Sequence, residues 1–245
     1  MFIKICGITT TDDALLASAL GADALGFVFA PSPRQVPPTH VQAIVSRLSP
    51  EVLTVGVFRN ETPERVVEIT HRCGLKAAQL HGAESVAVTK QVRAQVPVVI
   101  KAFAGGSHAL LHAHSYGADM VLVDSETPGS GEVFDWSLAE NAPGGVKLIM
   151  AGGLTANNVL MAIAKARPWG VDVSSGVEVS PGRKDPVRMR AFIETVRKAQ
   201  AASADAPASG AGASHSSSSS RSVGFVPKKH HGDEHPYNWY EEGVS

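Results

Sequence analysis

Short apolar strands and helices alternate eight times between Phe2 and Lys198, and this alternation constrains the fold more than any other feature. Strands separated by helices pair in parallel through right-handed crossovers. Eight such units in about 200 residues is the size of a small (β/α)8 barrel. An open doubly wound sheet is the competing topology. No GxGxxG follows the first strand, which weakens only the dinucleotide-binding version of that alternative. The expected fold class is α/β, a (β/α)8 barrel.

The first strand shows what closure would do. Phe2–Ile5 is short and apolar, and its side chains alternate between two faces. If helices cover Ile3 and Ile5, then Lys4 and Cys6 point into the barrel, with Cys6 at the C-terminal lip. The same parity count puts Gln79, Lys101 and Asp172 inward. Buried charges need partners. Strands one and eight are neighbours in a closed barrel, so Lys4 and Asp172 are expected to pair.

The composition changes after Lys198. Residues 201–213 are Ala, Ser, Pro and Gly apart from Asp205, residues 216–220 are all Ser, and the remainder is mostly polar. The chain therefore divides into a barrel over residues 1–200 and a low-complexity, disordered tail over 201–245. His230, His231 and His235 in the tail have metal-ligand chemistry. Without a folded scaffold they read as solvated polar residues, and no metal site is expected. The formal net charge of -1, without a basic stripe, argues against nucleic acid or a membrane surface as partner. No apolar run is long enough to span a bilayer, and no signal peptide opens the chain. The two cysteines, Cys6 and Cys73, lie in no CxxC or zinc-finger spacing, which suits a reducing cytoplasm. Monomer and homodimer both remain open.

Active sites of such barrels lie at the C-terminal ends of the strands. Those ends carry Cys6, Arg34, His81, Asp124, Gly152-Gly153 and Ser174-Ser175-Gly176. Glycine-containing loops after strands seven and eight are where many barrels hold phosphate on backbone N–H groups. Ordinary turn chemistry is the plainer explanation. Asp124 either caps a turn or transfers protons. Cys6 is either a small buried hydrophobe or a reactive thiol. Arg34 offers a planar fork for a carboxylate, or is a solvated loop residue. His81 either orients a substrate hydroxyl or hydrogen-bonds at the rim, and the rim reading is preferred.

Taken together, these stretches resemble a known family. Lys4-Ile-Cys-Gly-Ile-Thr9, Gly26-Phe-Val-Phe29, Ser32-Pro-Arg34 and Gln79-Leu-His-Gly82 are followed by Asp124-Ser125, Gly129-Ser-Gly-Glu-Val-Phe-Asp-Trp136 and Ala151-Gly-Gly-Leu154. Asn157-Asn-Val159, Gly170-Val-Asp-Val-Ser-Ser-Gly-Val-Glu178, Pro181-Gly182 and Lys184-Asp185 complete the series. In order and spacing the set is similar to phosphoribosylanthranilate isomerase, from Phe2 to about Arg197. One departure is Gly129-Ser-Gly131, where the family usually has Gly-Gly-Thr-Gly.

The resemblance implies an Amadori rearrangement in tryptophan biosynthesis, from N-(5'-phosphoribosyl)anthranilate to 1-(2-carboxyphenylamino)-1-deoxyribulose 5-phosphate. It implies Asp124 as the acid that opens the ring and Cys6 as the base. It further implies Arg34 at the anthranilate carboxylate, the two loops at the phosphate, and no metal or organic cofactor. Two rivals stand beside it. The barrel isomerase of histidine biosynthesis has an aspartate where Cys6 stands. A non-catalytic phosphosugar-binding barrel would not need both Cys6 and Asp124.

Overall fold

The computed structural model describes residues 1–124 and 142–204, with side chains described through residue 201. The loop expected from Ser125, the short helix expected after Trp136 and residues 205–245 of the tail lie outside the described residues, whereas residues 201–204, expected in the disordered tail, continue the last helix.

Eight strands close into one parallel barrel in sequence order. They are β1 Phe2–Ile5, β2 Ala24–Val28, β3 Leu53–Phe58, β4 Ala77–Leu80, β5 Val98–Ala104, β6 Met120–Asp124, β7 Leu148–Met150 and β8 Gly170–Val173. β8 pairs with β1, with Lys4 opposite Asp172, so no edge is left open. The helices are α1 Thr11–Ala19, α2 Pro38–Val45, α3 Pro63–Arg72, α4 Val86–Arg93, α5 Val159–Ala166 and α6 Pro186–Ala204. Between β5 and β6 the chain forms a 3-10 segment, His108–Tyr116, kinked at His112 and stopped by left-handed Gly117.

Local chemistry sets the helix starts. Thr10, Thr62 and Ser85 each accept a backbone N–H three residues on, capping α1, α3 and α4. Proline opens α2 and α3, where a missing N–H costs nothing. One helix begins later than its sequence pattern predicts. The pattern of the sequence predicts this helix, α4, over Glu84–Gln95, yet Ser85 is the cap. Glu84 lies outside the helix and instead accepts backbone N–H groups of Asn60 and Gly82. A buried carboxylate offered those donors and a lysine gains more there than in a helical first turn.

Strand parity produces two apolar layers. Ile3, Ile5, Val99, Val121 and Val171 face the helices, whereas Ala24, Val55, Ala77, Ile100, Leu122 and Ile149 fill the barrel. Lys4, Gln79 and Asp172 point inward as expected, and Lys4 Nζ lies 2.9 Å from Asp172 Oδ1. Lys101 does not. It shares the helix-facing side with Val99 and Phe103, while Ile100 and Ala102 point inward. Its long stem reaches back over the strand ends, where Nζ donates to the Leu80, Gly82 and Ala102 carbonyls and pairs with Glu84 at 2.9 Å. A lysine can be placed by the carbonyls it reaches, so its parity was a poor guide.

After β8 the chain adds a 3-10 turn, Ser175–Val177, and a small antiparallel hairpin, β9 Glu178–Ser180 with β10 Arg183–Lys184. Neither was expected, because each is too short to show a period. Helix α6 then crosses back to the barrel's N-terminal end. Arg197 fastens it there by donating to Met1 O, Gly21 O and Asp23 Oδ2.

Candidate active site

All nine residues singled out from the sequence line one pocket at the C-terminal mouth: Cys6, Arg34, His81, Asp124, Gly152, Gly153, Ser174, Ser175 and Gly176. The barrel brings them together because they lie at or beyond the C-terminal ends of six strands, β1, β2, β4, β6, β7 and β8.

Cys6 stands just past the end of β1, its backbone N–H bonded to Val173 O at 2.8 Å. Its side chain is almost fully buried. A Cβ placed on Gly26 would lie 2.7 Å from Cys6 Sγ and 3.2 Å from Lys4 Nζ, so the thiol and the ammonium converge on one spot. Burial pushes the Cys6 thiol up, and the Lys4 charge pulls against that rise. Burial alone would lower Lys4, but Asp172 and the thiol hold its pKa above the ordinary value.

Asp124 ends β6 across the mouth, with Oδ2 3.4 Å from His81 Nε2. His81 takes its place from β4, its N–H bonded to Phe58 O at 2.8 Å. Gln79 Nε2 lies 2.8 Å from His81 Nδ1. With the amide donating there, the ring proton sits on Nε2, toward Asp124. His81 thus sits between Gln79 in the barrel interior and the Asp124 carboxylate at the mouth.

The sequence left open whether Arg34 is a solvated loop residue, and the structure corrects that alternative. The loop after β2 folds back through Val36 N to Val28 O at 2.9 Å, and Ser32 Oγ accepts the Arg34 N–H at 3.1 Å. Arg34 is 7% exposed, and its guanidinium grips Glu178 along one edge, Nε to Oε1 at 3.0 Å and Nη2 to Oε2 at 2.8 Å. Lys184 approaches the same carboxylate at 2.7 Å. Burial alone would push the Glu178 carboxyl up, but the Arg34 hydrogen bond and the Lys184 charge hold it below the usual range. Sequence reasoning missed Glu178 and Lys184 as site residues. The available signal was a charged residue on each side of the Pro181-Gly182 turn.

The loop after β7 turns through Gly152 at φ 83° and Gly153 at φ 62°, a left-handed run that favours glycine. Asn158 staples it, accepting Thr155 N–H at 2.7 Å and donating to Gly153 O at 2.9 Å. The loop after β8 presses onto it at Gly176, where a Cβ would come within 1.9 Å of Leu154 O. No group of side chains suited to hold a metal ion occurs among the described residues.

A closed parallel barrel that gathers a thiol, a carboxylate and two abutting glycine loops at its C-terminal mouth is a (β/α)8-barrel enzyme. Comparison with known proteins narrows the class. The family model for N-(5'-phosphoribosyl)anthranilate (PRA) isomerase matches residues 3–195, and the chain belongs to that family. A relative named N-(5'-phosphoribosyl)anthranilate isomerase, from Desulforudis audaxviator, is 48% identical over 204 residues, covering 80% of this chain and 98% of the relative. The crystal structure of the Thermus thermophilus phosphoribosyl anthranilate isomerase superposes with a TM-score of 0.76 at 40% identity, over 81% of this chain and 100% of that one. A phosphoribosyl anthranilate isomerase determined in complex with reduced 1-(o-carboxyphenylamino)-1-deoxyribulose 5-phosphate matches with a TM-score of 0.72 at 37% identity, over 81% of this chain and 99% of that one.

Proposed function

We infer that the chain isomerises N-(5'-phosphoribosyl)anthranilate to 1-(2-carboxyphenylamino)-1-deoxyribulose 5-phosphate, an Amadori rearrangement of tryptophan biosynthesis. The observation that carries the mechanism is that Cys6 and Asp124 line the same pocket as the glycine loops after β7 and β8. In this reading Asp124 gives a proton to the furanose ring oxygen, and the C1'–O bond opens to an iminium. The Cys6 thiolate then takes the C2' proton, and the electron pair of that bond neutralises the iminium as an enamine. Ketonisation of the resulting enol completes an isomerisation in which substrate and product have the same atoms. No oxidant is consumed.

The remaining residues bind. Gly152, Gly153, Ser174, Ser175 and Gly176 receive the phosphate on backbone N–H groups, and Arg34 receives the anthranilate carboxylate. His81 steadies Asp124. The reading calls on no cofactor. Incubating the purified full chain with chemically generated substrate is expected to convert it to the ketose. Turnover of the aminoimidazole substrate of the histidine pathway instead, or of neither, would overturn the assignment.

We also propose that the folded enzyme ends with α6 and works in the cytoplasm. No helix among the described residues is long and apolar enough to cross a membrane, and the two free thiols, Cys6 and Cys73, are buried. Because Arg197 already ties α6 to Met1, Gly21 and Asp23, deleting residues 205–245 is expected to leave the melting temperature and kcat unchanged. Scanning calorimetry and steady-state kinetics on the shortened chain check this, and a large loss of either would show that the tail docks on the barrel.

A further inference from the structure

The Glu178 carboxylate is 5% exposed, and two cations share it. Arg34 holds it through Nε and Nη2, and Lys184 Nζ lies 2.7 Å from Oε1. The same Lys184 ammonium donates to Cys6 O at 2.5 Å and to Ser174 O at 3.3 Å. Lys184 is itself 3% exposed, and burial holds its pKa below the ordinary value against the opposing pull of Glu178. The turn of the hairpin is fixed from outside, where Thr9 Oγ1 donates to Gly182 O and Arg188 Nη1 donates to Glu178 O. One small hairpin therefore connects the loop after β2, the end of β1 and the loop after β8.

This connection has a consequence for Arg34. An arginine on a loop samples many rotamers, and a planar fork discriminates only if its plane is fixed. Glu178 fixes it by taking one edge of the guanidinium. Lys184 fixes the depth of Glu178 relative to the backbone of Cys6. We propose that Glu178 is a positioning residue that sets the Arg34 guanidinium in register with Cys6, so that the aryl carboxylate of the substrate is received with C2' within reach of the thiol. The proposal rests on the reading that Arg34 receives that carboxylate.

The test compares two ligands of the full-length enzyme. The aryl-carboxylate product carries both anionic groups, whereas ribulose 5-phosphate carries the phosphate alone. Glu178→Gln is expected to weaken the product, and to raise KM for the substrate, by about tenfold or more, since misplacing a positioning group by an ångström is costly. Its affinity for ribulose 5-phosphate should stay within about twofold of wild type, with kcat falling less than KM rises. Equal weakening of both ligands would make Glu178 a scaffold for the phosphate loop, and no weakening of either would make it idle. Either result overturns the proposal. If Glu178→Gln does not fold, the pair Glu178→Gln with Lys184→Met is read in the same way, because it removes the buried Lys184 charge together with its carboxylate partner. Arg34→Ala separates the two levels of the argument. If it spares the product's advantage over ribulose 5-phosphate, the role of Arg34 fails. If it removes that advantage and the Glu178 variants do not, only the positioning role fails.

Discussion

Cys6→Ala and Asp124→Asn are each expected to lower kcat by at least about a hundredfold, the lower range for loss of a positioned proton-transfer group. Product affinity and melting temperature should change little, since neither side chain is placed to hold the phosphate or close the barrel. The two groups differ in what surrounds them. Burial pushes the Cys6 thiol up, so the thiolate is the scarce form near neutrality, and the charge and hydrogen bond of Lys4 and the charge of Lys184 oppose that. The sign of the pH dependence follows. A base with a raised pKa gains its active form as pH rises, so kcat/KM should climb on the alkaline side of neutrality. Lys4→Met removes the opposing charge and should move that climb to still higher pH. Asp172 would then lose the ammonium now 2.9 Å away, so the paired variant Lys4→Met with Asp172→Asn is the cleaner comparison. Cys6→Ser should be as poor as Cys6→Ala, because a hydroxyl is rarely ionised in this range. Steady-state kinetics across pH on the purified variants decides the matter. A Cys6→Ala enzyme with near wild-type kcat would reduce Cys6 to a packed core residue.

How much of this was legible in the chain depends on the range of the interaction. The barrel was legible because it rests on short-range signals repeated eight times. The bounds of β1, β4 and β8 follow the apolar runs Phe2–Ile5, Ala77–Leu80 and Gly170–Val173. The Lys4–Asp172 pair was legible although 168 residues separate its members, because closure makes their strands neighbours and parity turns both inward. The Arg34–Glu178 pair spans a similar distance and was not legible. Arg34 sits on a loop and Glu178 opens a three-residue strand, where neither period nor register says which side chain meets which. Lys101 and Glu84 show another limit. Each has a position that local pattern reads plausibly, an inward strand residue and a helical first turn, and each is placed instead by the other's charge. The pocket-lining residues were found because they are confined to strand ends, and the groups that hold them were missed because they are not.

Gly176→Ala is expected to weaken the phosphorylated product by about a hundredfold or more, which is the cost of shifting a binding group by roughly an ångström. A Cβ there would lie 1.9 Å from Leu154 O and 2.9 Å from Leu154 C. Both are backbone atoms, so no side chain can swing aside, and the loops after β7 and β8 must separate. Overpacking of this kind costs about 1–3 kcal/mol of stability as well. Gly153 makes a sharp control. A Cβ on Gly153 meets nothing within 4 Å, yet its φ of 62° is left-handed. Gly153→Ala should therefore cost about 1–2 kcal/mol through backbone strain, and Gly153→Val more, while the loops stay in contact. The two substitutions thus act differently, Gly153→Ala by straining the backbone in place and Gly176→Ala by parting the loops. Calorimetric titration with product and with inorganic phosphate, beside melting temperatures for each variant, separates them. If Gly176→Ala bound both ligands as wild type does, the contact between these loops would be packing alone, and the phosphate would have to be held elsewhere in the mouth.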